Sequence, residues 1–383
     1  MRHDFFLIPG FFGFADLGGI TYFHHVDKIL ARLLEPHGIE PSIHYVSTVP
    51  TGSIRTRAHT LFEQIAEKSS GPDVPIHLIG HSTGGLDARL FATPTVALLK
   101  DNDRVEEYAS RVRTVVSVAS PHLGTPLAFF FNSILGQNLL YLLSMATIYA
   151  LRFGRFPLAT LFSLVGVVAK LDDRLGWENT IVDQFYENLF ADFEDEHMDE
   201  VSAFLESIRE DQALLGQLTP GGIDLLNAAA EDRSTARYGC VITQARKPEL
   251  ARIKELGFEP YRQASHQIYR LLYWLTSFVP KYPEQDSEVR ETLRRAYGEL
   301  PAKGANDGVV PTWSQIHGEI IHATWADHLD VCGHFSDLSN DPPHVDWLCS
   351  GTGFANERFE RLWEDVVEFI TREEPDMAIP PRG

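Results

Sequence analysis

The sequence predicts an α/β fold, a mostly parallel sheet covered by helices on both faces. Two observations carry this. Between Asp4 and Ala119, short apolar or β-branched runs alternate with segments whose apolar residues recur at helical spacing, a pattern that yields parallel strands joined by crossover helices. One strand-like run leads straight into a serine flanked by glycines, with a helical pattern directly behind it.

The elements follow in order. Asp4–Ile8 is a continuous apolar run, as in a strand buried on both faces. Tyr22–Leu34 carries Phe23, Val26, Ile29, Leu30, Leu33 and Leu34 at helical spacing, and Gly38 lies just beyond it. Ile39–Ser47 is the second strand. Ser53 is an N-cap for a helix whose apolar face holds Ile54, Ala58, Leu61, Phe62, Ile65 and Ala66. After the turn Gly71-Pro72-Asp73 come a strand at Val74–Ile79, a helix beginning over Leu86–Phe91 and a β-branched strand at Val112–Ala119. The middle differs. Leu127–Val168 is strongly apolar, Phe129–Leu151 has no charged residue, and an acidic stretch, Asp192–Asp211, places Val201, Phe204, Leu205 and Ile208 at helical spacing. Strand character returns at Tyr238–Thr243, an aromatic-rich helix at Tyr261–Val279, a strand at Glu319–Thr324 and an amphipathic closing helix at Glu357–Ile370; Pro380-Pro381 falls in a tail. The organisation expected is a core of residues 1–126 and 233–383, interrupted by a helical lid or cap at 127–232.

Composition narrows the function. Of 383 residues 44% are hydrophobic and 22% charged, as in soluble globular proteins. A net charge of −20 disfavours a nucleic-acid partner and electrostatic docking on anionic membranes, while leaving apolar contact with lipid open. Three cysteines form no disulfide framework; a Cys332–Cys349 bridge is conceivable, but reduced thiols are expected. The apolar start Phe5–Ile8 fails as a leader because Pro9-Gly10 interrupts it, so a cytoplasmic location is expected, with leaderless secretion open. A transmembrane span within Phe129–Leu151 is disfavoured by Asn132, Gln137 and Asn138.

The chemistry concentrates in four places. Gly80-His81-Ser82-Thr83-Gly84 fits G-x-S-x-G between strand and helix, the nucleophile elbow of the α/β-hydrolase fold, where a strained turn lifts a serine hydroxyl above the sheet. Leu7-Ile8-Pro9-Gly10-Phe11-Phe12-Gly13 ends the first strand in a turn that offers backbone N–H groups to a developing oxyanion; Phe11 and Thr83 are the candidate donors. Asn306-Asp307-Gly308 places an acid in a turn. His328 follows a strand closely, although His317, His322, His334 and His344 compete, His334 most seriously. The order Ser82, Asp307, His328 is the order this fold uses. These residues call for no cofactor and no metal.

Taken together, the motifs make the sequence similar to the bacterial true lipases of the Pseudomonas/Burkholderia/Proteus type. The resemblance rests on Pro-Gly-Phe-Phe-Gly, Gly-His-Ser-Thr-Gly-Gly-Leu-Asp-Ala-Arg, Ser120-Pro121-His122-Leu123-Gly124-Thr125-Pro126, Leu218-Thr219-Pro220-Gly221, Asn306-Asp307-Gly308 and His328-Leu329-Asp330. It implies Ser82 as nucleophile, Asp307 as acid, His328 as base, Phe11 and Thr83 as oxyanion donors, and His122 as part of a structural turn. It also implies a mobile lid after Pro126 and hydrolysis of lipid esters such as acylglycerols. Pro9 departs from the family's usual histidine. Such lipases often hold a structural calcium through two aspartates; Asp330 matches one, Asp286 is the candidate for the other, and His334 stands where an oxygen ligand is expected. The same triad serves an acyltransferase or thioesterase, and the fold alone serves a non-catalytic lipid-binding protein. Residues 127–168 are the candidate contact with a lipid–water interface.

Overall fold

The computed structural model describes residues 1–11, 13, 16–17, 20–94, 102–133, 136–137, 139–145, 202–208, 211–249, 260–336, 346 and 348–372. Among the described residues, eight strands are β1 (Arg2–Ile8), β2 (Asp16–Leu17), β3 (Ile20–Thr21), β4 (Glu40–Tyr45), β5 (Ile76–His81), β6 (Val112–Val118), β7 (Arg237–Gln244) and β8 (Glu319–Trp325). Six of them form one sheet in the order β4-β1-β5-β6-β7-β8, every neighbouring pair parallel; β2 and β3 make a small antiparallel pair. The chain steps from β1 outward to β4 and then returns to β5 on the other side of β1. Such a reversal opens a crevice at the carboxyl ends of the two strands, where ligands bind in open α/β sheets.

The strands are apolar throughout because both faces are covered. On β1, Phe5 and Leu7 join a core with Leu30 and Trp363, whereas Phe6 and Ile8 face the opposite core with Leu61, Phe62 and Leu86; successive side chains of a strand point to opposite faces. The first layer contains α1 (Val26–Leu34) and the closing helix (Asn356–Thr371), which buries Phe359, Leu362, Trp363, Val366, Val367, Phe369 and Ile370. Each such burial contributes about 1.5–3 kcal/mol. The second contains α2 (Ile54–Lys68), capped by Ser53 accepting from the Thr56 N–H at 3.1 Å, and α3 (Thr83–Ala92).

Several boundaries move. The first helix starts at Val26, because Tyr22 is held by a hydrogen bond to His81 at 2.6 Å and His25 turns the chain with φ 61°. The aromatic helix, α8, runs Pro260–Thr276, and a helix not foreseen, α9 (Ser287–Tyr297), is capped by Asp286 and closed by Gly298. Between β6 and β7 lie α5 (Leu127–Phe131), α6 (Ala213–Gln217) and α7 (Pro220–Ala229), with α4 (Asn102–Ala109) earlier; residues 202–208 are helical, with Phe204, Leu205 and Ile208 buried. Residues 146–201, which hold the remainder of the apolar and much of the acidic expectation, lie outside the described residues, as does the Pro380-Pro381 tail. Among the described residues, no helix is long and apolar enough to cross a membrane.

Candidate active site

β5 ends at His81 and α3 begins at Thr83, so a single residue makes the turn. Ser82 has φ 53° and ψ −125°, a conformation that costs a residue with a side chain about 1–3 kcal/mol. The flanking glycines allow it: a Cβ on Gly80 would overlap the Gly84 backbone, and one on Gly84 would overlap the carbonyl of Ile8. The Ser82 N–H donates to the Val118 carbonyl at 2.8 Å, tying the turn to β6. The positive end of the α3 dipole lies at the serine.

His328 follows β8, and its backbone N–H donates to the Asp307 carbonyl at 3.1 Å. Its Nδ1 lies 2.8 Å from Asp307 Oδ2. A carboxylate only accepts, so Nδ1 carries a proton, which in a neutral imidazole leaves Nε2 with its lone pair. The Asp307 carboxylate is fully buried and surrounded by donors. Oδ1 accepts from the backbone N–H of Val309 and of Val310, at 2.9 and 2.7 Å; Oδ2 also accepts from Thr243 Oγ1 at 2.8 Å and Gln315 Nε2 at 3.3 Å. Thr243 is on β7, so the sheet itself anchors the acid. The rival histidines are engaged elsewhere. His334 Nε2 donates to the Tyr22 carbonyl at 2.8 Å, His317 pairs with Asp232, and His322 with Asp365; His344 lies outside the described residues.

Ser82, His328, Phe11 and Thr83 line one cavity, and Asp307 stands behind the histidine. The remaining wall is largely apolar: Leu127, Ala128 and Phe131 on α5, Leu140 and Leu143, and Leu272 on α8 are among its residues. Residues 127, 128, 131, 140 and 143 of the apolar segment thus contribute to the cavity wall. Gly10 lets the turn after β1 approach Ser82, since a Cβ there would lie 2.8 Å from Ser82 Cβ. A buried relay joins the parts. The Tyr22 hydroxyl donates to His81 Nδ1 at 2.6 Å, and His81 Nε2 donates to the His328 carbonyl at 2.8 Å. Burial, with His328 close by, holds His81 well below the usual histidine range, so it is neutral.

Asp327, Asp330 and Asp346 bring carboxylate oxygens within 4.8 Å of one another beside the His328 loop. Burial pushes Asp327 up to about 6 and Asp330 and Asp346 well above the usual carboxylate range. An all-oxygen set of this kind fits a hard cation such as calcium, which would brace the loop and take no part in bond making. Asp286 does not belong to it: its carboxylate accepts from the Val289 N–H at 2.9 Å as the cap of α9. His334 is likewise committed to Tyr22. All three cysteines are free and buried.

Sequence reasoning missed Thr243, Gln315, Tyr22 and His81 as parts of the site, and Thr243 and Gln315 carry no local signal.

Solved structures share this architecture. Lipase 1 from Pelosinus fermentans is similar with a TM-score of 0.53 at 16% identity, over 97% of this chain and 99% of that one. Staphylococcus hyicus lipase is similar with a TM-score of 0.50 at 16% identity, over 96% and 95%. At such identities the likeness shows the fold, which is α/β-hydrolase-like. In sequence, no protein-family model matches the chain, and no curated protein does.

Proposed function

We propose that this chain hydrolyses carboxylic esters with apolar acyl groups, in the manner of the bacterial true lipases whose motifs it resembles. The observation that carries the reading is the 2.8 Å contact of His328 with Asp307, at a cavity that Ser82, Phe11 and Thr83 also line. His328 Nε2 takes the proton of Ser82 as Oγ attacks the ester carbonyl. The C=O π bond opens to an oxyanion, which the N–H groups of Phe11 and Thr83 receive. Collapse breaks the C–O bond, and His328 returns the proton to the leaving alcohol. Water then repeats the sequence on the acyl-enzyme and releases the acid. Asp307 stabilises the imidazolium throughout.

The apolar wall names the substrate side, since a hydrocarbon chain displaces water there without leaving a polar group unpaired. Residues 127–232 serve as the cap on a core of 1–126 and 233–383, and the exposure of Phe129 on α5 supports contact of this segment with a lipid–water interface. The test is a fluorophosphonate probe followed by a panel of p-nitrophenyl esters of rising acyl length. Labelling at Ser82 that is lost in Ser82→Ala, together with turnover of the panel, is expected. An unlabelled wild type, or a Ser82→Ala variant that turns over esters at the wild-type rate, refutes the proposal.

A further inference from the structure

Beneath the oxyanion turn lies a buried cation that the steps above do not use. Arg57 on α2 is fully buried, and every N–H of its guanidinium has an acceptor. Nε donates to Asp87 Oδ2 at 2.9 Å, and Nη2 also lies 2.8 Å from that oxygen. Nη1 donates to the carbonyls of Val49 and Pro50 at 2.9 and 3.1 Å. Nη2 donates to the carbonyls of Pro9 and Gly10, both at 3.0 Å. Two successive carbonyls of the oxyanion turn thus converge on one nitrogen. Their like partial charges repel, and a cation between them removes the repulsion.

The Gly10 carbonyl and the Phe11 N–H belong to one planar trans peptide, so they point in opposite directions. Fixing the oxygen on Arg57 therefore turns the Phe11 N–H away from the guanidinium, and Phe11 lines the same cavity as Ser82. A charged donor on the carbonyl also polarises the amide and strengthens its N–H as a donor. Burial pushes Asp87 up to about 6 against the pull of Arg57, so at neutral pH the carboxylate is ionised and holds the guanidinium in place.

We propose that Arg57, held by Asp87, is the positioning residue of the oxyanion hole: it aims and polarises the Phe11 N–H without touching substrate. This rests on the ester-hydrolase reading above. A residue of this kind governs the transition state more than ground-state binding.

The experiment compares wild type, Arg57→Lys and Asp87→Asn. For each, kcat and KM are measured on a short p-nitrophenyl ester beside a thermal melt. Two ligands are then titrated: an alkyl trifluoromethyl ketone, which adds to Ser82 and creates an oxyanion, and the corresponding alkyl alcohol, which fills the cavity without one. Loss of one oxyanion donor costs roughly 10²–10³ in kcat. Arg57→Lys keeps the charge but loses the fork, so a kcat loss of about a hundredfold is expected, with KM within about twofold. Ketone affinity should fall by the same factor and alcohol affinity should hold. Asp87→Asn keeps the guanidinium and should lose about tenfold in kcat with the same split; it is read alone if Arg57→Lys does not fold. A folded variant that keeps kcat and ketone affinity at wild-type values overturns the proposal, as does equal weakening of ketone and alcohol. Wild type is assayed first: if it hydrolyses no ester, the hydrolase reading has failed, whereas an active wild type beside an unaffected Arg57→Lys refutes the positioning role alone.

Discussion

Asp307→Asn is the substitution whose outcome the geometry fixes most tightly. Oδ1 accepts from two backbone N–H groups, at 2.9 and 2.7 Å, and neither can rotate away. The amide nitrogen of the asparagine therefore takes the place of Oδ2. There Thr243 can turn its hydroxyl toward Gln315 Oε1 at 3.0 Å, and Gln315 Nε2 has the carbonyls of Thr243 and Val310 as other acceptors, at 3.1 and 3.3 Å. Only His328 has no alternative. Its Nδ1, 2.8 Å from the new donor, must give up its proton, which moves to Nε2. The nitrogen that should take the serine proton is then already protonated. In a serine-protease triad the same change lowers kcat by about 10⁴, which is about 5.4 kcal/mol of barrier. Stability should fall by only about 1–3 kcal/mol, the scale of one hydrogen bond to a charged group. The assay is kcat on p-nitrophenyl butyrate beside a thermal melt. A folded Asp307→Asn enzyme within tenfold of wild type refutes the tautomer argument and moves the acid elsewhere.

Three more perturbations separate neighbouring roles. His328→Ala should lose about 10⁶ in kcat, as removal of a triad base does. His334→Ala, which gives up one bond to the Tyr22 carbonyl, should lose less than about tenfold; the reverse result would show that the wrong histidine was chosen. Leu143→Ser, in the cavity wall, should slow long-chain esters more than butyrate, whereas Leu142→Ser, buried outside that wall, should lower melting temperature and both rates together. Equal losses for both substrates in Leu143→Ser would make that stretch plain core. The last concerns pH. Burial raises Asp327 from 3.8 to about 6, so its contribution to stability is fully present below pH 3.8 and is lost as pH rises through about 6. In chelator, wild type should lose melting temperature relative to Asp327→Asn from pH 4 to pH 7, and parallel curves would contradict this. Calcium held by the three carboxylates should oppose the loss, because it binds their ionised forms.

The layered architecture was legible because each core strand is buried on both faces, and burial of that kind writes itself into consecutive residues. Phe5 to Ile8 could only be a strand of this sort. The elbow was legible because steric crowding at one sharp turn demands glycines at fixed offsets, as at Gly80 and Gly84. The start of the first helix was misplaced by four residues because Tyr22 and Phe23 fit the helical spacing. The bond from Tyr22 to His81 that holds it out of the helix joins residues far apart in the chain. Asp286 shows the same limit: an aspartate at a plausible spacing turned out to be an N-cap.

By itself, the sequence determined what depends on neighbours along the chain: the alternation of elements, the strained serine turn, and the order of serine, acid and histidine. It could name Asp307 and His328 but not the five donors around one carboxylate, because Thr243, Gln315 and the histidine come from separate segments. It could not tell that Arg57 holds the carbonyls of Pro9 and Gly10, or that Asp330 groups with Asp327 and Asp346. Those placements follow from how the parallel strands bring distant loops to one edge. Hydrogen bonds across such an edge leave no periodic mark in the chain, so only the tertiary structure decided them.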